Sequence, residues 1–386
     1  MGNFDPVIVS GGGIDVWNTI RGFTPYGGLC RLPEKRFLMT VQPIECSGSC
    51  ADRETPLFEK GAPNRRERAG SETGLSSRVS RGRTMKIEGH HFLVTGGSGF
   101  IGSHLVEALV QQGAARIVVF DKMINDRNLA GLSAARGVEM IEGDLLQRDK
   151  LADALRGMHG VFHLAVLPLG ACEKDPRLAF EVNIRGTFNV IEGSIRRGVK
   201  RLVYSSASSV YGDTLEVMDE HHPFNPWTMY GVSKLCGEFL FRPFRSKLPY
   251  VILRYMNVYG PRQGGGLIPA VLTKIRAGEP PVINGDGSAS FDFVHVRDVV
   301  HCNLLAMASE IEAEAFNVGS GTTATVQDVV NQLLQLTGSS LQPVYRRDID
   351  VPMMRRVGSS EKARRLLGYR ASIALNEGLA ELVKGR

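Results

Sequence analysis

No stretch of this chain stays apolar over the roughly 18 residues that a membrane helix requires, so no membrane partner is expected. Cysteine is scarce: six in 386 residues, scattered, which is no disulfide framework. Cys46 and Cys50 lack a second pair at zinc-ligand spacing, and no histidine spacing resembles a metal site, so no metal is expected. Met1-Gly2-Asn3-Phe4-Asp5-Pro6 has neither the basic nor the apolar region of a secretory signal, and Pro6 stands where myristoylation needs Ser or Thr. Together these absences predict a protein of the reducing cytoplasm. Charge is not strongly one-sided either, with 46 basic against 40 acidic residues. Residues 1–86 hold 13 basic and 9 acidic residues, four of the net +6, so nothing favours a nucleic-acid partner.

What is present is a 43% hydrophobic composition, enough for one large or two modest domains. Residues 1–84 show no helical or strand period, and glycine clusters and an Arg-rich polar stretch interrupt them. They read as a disordered extension, or as sequence upstream of a native start at Met85. From residue 91 strands and helices alternate. Apolar runs end near Thr95, Asp121, Asp144, Ala165, Ser206 and Tyr255, with helical stretches expected over 146–156, 175–197 and 228–246. This alternation predicts an α/β fold with a doubly wound parallel sheet over 85–256, binding its ligand at the strands' carboxyl ends. Residues 291–318 are expected to return to the sheet. Segments 257–290 and 319–386 would form a smaller C-terminal substrate-binding domain, with a cleft between the two.

The first strand breaks into Gly96, Gly99 and Gly102 and re-emerges as an amphipathic helix. Without Cβ atoms a pyrophosphate can approach the backbone, where the helix N-terminus offers N–H groups and the positive end of its dipole. Asp121 follows about 20 residues on, the spacing of a ribose-binding acid. Further along, Tyr230 and Lys234 share one helix face at i and i+4. A neighbouring ammonium is expected to lower the phenol's pKa and make it a usable acid and base.

The chain resembles the extended short-chain dehydrogenase/reductases of the nucleotide-sugar epimerase/dehydratase group. The motifs are T-G-G-S-G-F-I-G at 95–102, G-D-L at 143–145, H-L-A at 163–165, N-I-R-G-T at 183–187, S-S-A-S-S-V-Y-G at 205–212, Y-G-V-S-K at 230–234, L-R-Y-M-N-V-Y-G-P-R at 253–262 and G-D-G-S at 285–288. The resemblance covers residues 87–385 and implies a Rossmann-type fold, NAD as cofactor and a homodimer built on helices near 176–197 and 228–246. It assigns the dinucleotide to Gly96, Gly99, Phe100, Ile101, Gly102, Asp121, Asp144, Leu145, Ala165, Asn183, Ser205, Tyr230 and Lys234. The acid at 121 favours NAD over NADP, with Lys122 the one feature against. Asn257 and Arg355 or Arg356 are assigned to the sugar diphosphate.

Two departures stand out. The family's Ser or Thr four residues before the Tyr of V-Y-G is Ala207 here, leaving Ser206 or Ser208 for that role. Phe291 occupies the place of an Arg that grips phosphate. Sugar dehydratases of the group carry acids just before V-Y-G, and this chain has Ser208 and Ser209. Elimination is therefore disfavoured, and the implied activity is a UDP-sugar 4-epimerase. A one-way reductase or dehydrogenase and a non-catalytic NAD sensor are the alternatives.

Overall fold

The computed structural model describes residues 85–132, 134–348 and 355–385; the expectations for residues 1–84 fall outside them. Seven apolar segments build one sheet: β1 (His91–Thr95), β2 (Arg116–Asp121), β3 (Val138–Glu142), β4 (Gly160–His163), β5 (Arg201–Ala207), β6 (Tyr250–Tyr255) and β7 (Glu314–Val318). Their order is β7-β6-β5-β4-β1-β2-β3, and every pairing is parallel. The direction of winding reverses between β1 and β4, where a doubly wound sheet opens its binding crevice. Thr95 and His163, the last residues of those strands, are paired in register there.

Alternate side chains of the central strands enter two cores. Phe92, Val94 and Leu253 face α1 (Phe100–Gln111) and α6 (Val296–Ala308) on one side. Leu93, Val161 and Leu202 face α2 (Arg148–Ala154), α3 (Gly186–Arg196) and α4 (Met229–Phe241) on the other. Burial on both faces is what parallel strands require, and it explains their near-continuous hydrophobicity. A third core joins α5 (Leu267–Arg276), α7 (Val326–Thr337) and Leu379 in the C-terminal lobe. Among the described residues no helix is long and apolar enough to cross a membrane.

One expected helix holds with a local change, and two expectations need correction. The helix expected over 175–197 runs unbroken from Pro176 to Arg196, an α-turn at Pro176–Ala179 passing through a π-helical turn at Phe180–Arg185 into α3. The π turn carries Asn183, whose side chain is drawn to the backbone of Leu167. The helix expected to reach 246 ends at Phe241, because Pro243 supports only a short 3₁₀ turn beyond it. Residues 291–296 do not rejoin the sheet, since both sides of β6 are taken by β5 and β7. Phe293–His295 instead pairs with Asn257–Tyr259. Ser290–Phe291 enters a small sheet with Val217–Met218, Ala324–Thr325 and Arg355–Gly358.

Candidate active site

The turn between β1 and α1 folds flat only because it is glycine. A Cβ on Gly102 would lie 2.1 Å from the Gly96 carbonyl oxygen, and one on Gly96 would lie 2.7 Å from the Ala165 nitrogen. Gly96 also needs a positive φ of 69°. Gly99 caps α1, whose first turn holds Phe100 and Ile101, both half-buried. Asp121 ends β2 beside this loop, its Oδ2 accepting from Ser98 N (3.1 Å) and Ser98 Oγ (2.8 Å). Sequence reasoning passed over Ser98, although a hydroxyl two residues into the glycine turn is a ready partner for the acid. A turn packed too closely for a Cβ at Gly96 or Gly102, leading into the N-terminus of α1 with a carboxylate fixed at its side, fits a dinucleotide.

Farther along the crevice, Asp144 accepts from Leu146 N (3.0 Å) and pairs with Lys122 at 3.1 Å. Burial works against its charge, but the Leu146 N–H and Lys122 together hold the carboxyl below its ordinary value. Leu145 lies in the core, its carbonyl accepting from Asn189 Nδ2 (3.0 Å). His163 is locked between Thr95 Oγ1 (2.7 Å) and Thr187 Oγ1 (2.9 Å). Burial, helped by the charge of Lys234, pulls its pKa down to about 3, so the imidazole is neutral. Asn183 spans the elements: Oδ1 accepts from Leu167 N (2.7 Å) and Nδ2 donates to Ser233 Oγ (3.0 Å) on α4.

Thr228 caps α4 by accepting from Gly231 N (3.0 Å), placing Tyr230, half-buried, and Lys234, buried, on one face of its first turns. Lys234 Nζ donates to the Ser205 carbonyl (2.6 Å) and lies 5.8 Å from the centre of the Tyr230 ring. Burial pulls Lys234 down to about 7. The expected lowering of the phenol by Lys234 is not found in the protein alone, where burial pushes Tyr230 well above its ordinary value. In a dry pocket both charged forms are penalised. Ionising the phenol therefore calls for further positive charge at the site.

The serines separate clearly. Ser205 Oγ bonds the Tyr255 hydroxyl (2.9 Å). Ser206 points to the other side of β5 from Ser205 and donates to Glu238 Oε1 (2.6 Å), beneath α4. Ser208 begins a buried 3₁₀ turn, Ser208–Val210, that packs on the start of α4: a Cβ at Gly231 would meet the Ser209 carbonyl at 2.7 Å. Ser209 Oγ is buried without a hydrogen-bond partner, a candidate that the sequence reading missed.

On the lobe side, Asn257 N donates to the Asp292 carbonyl (2.9 Å), while Asn257 Nδ2 is buried and unpartnered. Such an orphaned donor suits a bound acceptor. The guanidinium of Arg356 is paired, Nε (3.0 Å) and Nη2 both donating to Asp213 Oδ1. The side chain of Arg355 falls outside the described residues.

Known proteins share this arrangement. Residues 92–319 match the family model described as the NAD dependent epimerase/dehydratase family. A UDP-glucose 4-epimerase of Halalkalibacterium halodurans is 31% identical over 318 residues, spanning 75% of this chain and 93% of that one. A UDP-glucuronic acid 4-epimerase from Bacillus cereus, solved with UDP-glucuronic acid and NAD, superposes with a TM-score of 0.71 at 29% identity, over 76% of this chain and 99% of that one. A dTDP-glucose 4,6-dehydratase from Streptomyces venezuelae, solved with NAD bound, gives the same TM-score of 0.71 at 29% identity, over 76% and 96% of the two chains. Over more than half its length, then, this chain belongs to the NAD-dependent epimerase/dehydratase family.

Proposed function

We propose that this protein is an NAD-dependent 4-epimerase of nucleotide sugars, with UDP-sugars as substrates. Epimerases and a dehydratase resemble it equally, so the choice rests on one observation. The turn packed against the Tyr230 helix offers the serines Ser208 and Ser209 where the group's dehydratases carry acids. Without an acid to remove a second proton, the residues present suit reversible oxidation at C4.

The glycine cradle, Asp121 and Asp144 would hold the dinucleotide, with Lys234 on its nicotinamide ribose. When bound, the dinucleotide would supply hydride-transfer chemistry and the positive charge that Tyr230 lacks. Tyr230 would take the proton from the sugar O4 and give it back after the 4-keto sugar has turned over in the cleft. Ser208 would steady that oxygen, and Asn257 Nδ2 would donate to the sugar diphosphate. Residues 85–256, with returning segments in about 291–318, would form the dinucleotide half, and 257–290 and 319–386 the substrate half.

A homodimer through the 176–197 and 228–246 helices would cover Phe180, Val232 and Phe239, which are 50%, 37% and 41% exposed. The described cysteines, 172, 236 and 302, are free thiols, in keeping with a cytoplasmic location.

The test uses purified protein without added cofactor, incubated with UDP-glucose, UDP-glucuronate and UDP-N-acetylglucosamine, with products resolved by anion exchange. One 4-epimer should appear with no net NADH, and Tyr230→Phe should abolish it. A 4-keto-6-deoxy product, or stoichiometric consumption of added NADH, would overturn the reading.

A further inference from the structure

Beneath the catalytic helix lies a buried polar network that the reaction above does not use. Glu238 follows Lys234 by one turn of α4, on the same face, and is 3% exposed. Its Oε1 accepts from Ser206 Oγ (2.6 Å) and Arg254 Nε (3.0 Å), and its Oε2 from Arg254 Nη2 (2.7 Å). Arg254 sits in β6 and uses Nη1 on the Tyr211 hydroxyl (2.8 Å), which donates to Asn317 Oδ1 on β7 (2.7 Å). Arg254 Nη1 also reaches the Glu220 carbonyl (3.3 Å), and its guanidinium lies 4.9 Å from the centre of the Phe224 ring. One chain of bonds thus joins α4 to three strands and to the loop that follows the serine turn.

Stability alone does not account for this pair. Two buried charges carry a desolvation penalty that apolar side chains of similar volume avoid. What an apolar pair cannot supply is a bidentate, directional bond and a fixed charge.

We propose that Glu238 is a positioning residue for the Tyr230–Lys234 pair. Its bonds to Ser206 and Arg254 set the rotation and height of α4 over the strand ends, and its carboxyl stands one turn from the Lys234 ammonium on the same face. The kinetic consequence rests on the epimerase reading; the electrostatic one does not.

The groups facing Lys234 are Tyr230 on its own helix, Tyr204 on β5, His163 on β4 and Cys172 on the Leu169–Lys174 helix. Those facing Glu238 are Arg254, Tyr204, Tyr211 and Tyr250. Cys172 and Glu238 both favour the ammonium against burial. The Cys172 thiol is itself pushed up by burial and stays neutral near pH 7, as does His163. Glu238, by contrast, is held bidentately by the Arg254 guanidinium.

Glu238→Gln keeps the volume and removes the charge. Lys234 has a lower pKa folded than unfolded, so its protonation opposes folding at low pH, and the melting temperature should rise as pH passes upward through its folded pKa. In Glu238→Gln that rise should begin about one pH unit lower. The alkaline limb of kcat should move down with it, and kcat should fall about tenfold with KM little changed. Glu238→Leu combined with Arg254→Met should melt near the wild type at neutral pH yet keep the lowered kcat.

An unshifted onset of the rise in Glu238→Gln, or wild-type kcat in the apolar double variant, would reduce the pair to packing and overturn the proposal. Should the wild type turn over no nucleotide sugar, the epimerase reading falls. The melting shift would still decide whether Glu238 governs Lys234.

Discussion

The loop between β1 and α1 is shaped by missing atoms, whereas the loops of the C-terminal lobe are shaped by buried carboxylates. At Gly96 and Gly102 the backbone closes to distances that exclude any Cβ, and Gly96 N is held by the Phe120 carbonyl (2.9 Å) of the neighbouring strand. Beyond Asn257 the main sheet gains only β7, and the remaining strands are two to four residues long. There Asp292 accepts from Ser320 N (2.7 Å), Ser320 Oγ (2.7 Å) and Gly321 N (3.0 Å). Asp298 does the same for Ser372 N (3.0 Å), Ser372 Oγ (2.8 Å) and Ile373 N (3.2 Å). A wide parallel sheet positions its loops by where its strands end, so those loops need only room. Where the sheet stops, a loop needs a post, and a buried carboxylate that accepts several N–H groups is one.

The contrast breaks most sharply at Gly102→Ala. The new methyl meets a backbone oxygen at 2.1 Å, a clash that no rotamer relieves. Nucleotide released on denaturing the purified protein should fall to background, and activity with it. Gly170→Ala, which opens onto empty space, should retain both. Nucleotide retained by Gly102→Ala would mean that the cradle is not where the dinucleotide lies.

Asp292→Ala should strike the other region. Three donors from Ser320 and Gly321 lose their acceptor, a cost of about 3 kcal/mol that chemical denaturation would read as a lower midpoint. Retained nucleotide should be unaffected, because no strand of the main sheet is touched. Loss of nucleotide in this variant would show that the two regions are not independent.

Lys234 is buried against β5, apart from both, and its effect is a matter of pH. Its folded pKa of about 7 lies below the ordinary lysine value. Between those values the unfolded chain binds the extra proton, so stability should rise with pH from about 7 toward 10. Lys234→Met should flatten that rise in the melting temperature, and a wild-type slope in the variant would assign it to another group.

The same contrast explains what could be read from sequence. The glycine turn, Asp121 and the Tyr230–Lys234 spacing are local, and each lies within one strand, turn or helix. Ser206 could not be placed this way, because which face a strand residue uses depends on its register, and Glu238 lies 32 residues away. Arg254 and Glu238 left a legible signal, a charge inside the apolar run 250–255 and an acid one turn beyond Lys234. Their pairing across 16 residues was not itself visible. The misplaced return of 291–296 has the same origin, since the sequence of a strand does not say which edges are already taken.

The smallest expected effect concerns Arg356. Its Nε and Nη2 converge on one oxygen of Asp213, with the two side chains 18% and 20% exposed. Asp213→Asn keeps an acceptor oxygen and removes the charge, so the loss in stability should stay near 1 kcal/mol or less. A guanidinium released from its carboxylate is freer to meet phosphate, and a negative charge is lost from the neighbourhood of an anionic substrate. Both changes act in one direction: KM for the nucleotide sugar should fall about twofold to threefold, more at low salt than at high. An unchanged KM alongside the small loss in stability would put Arg356 out of reach of the diphosphate. The ion pair would then be one more post of the lobe, doing for residue 213 what Asp292 does for Ser320.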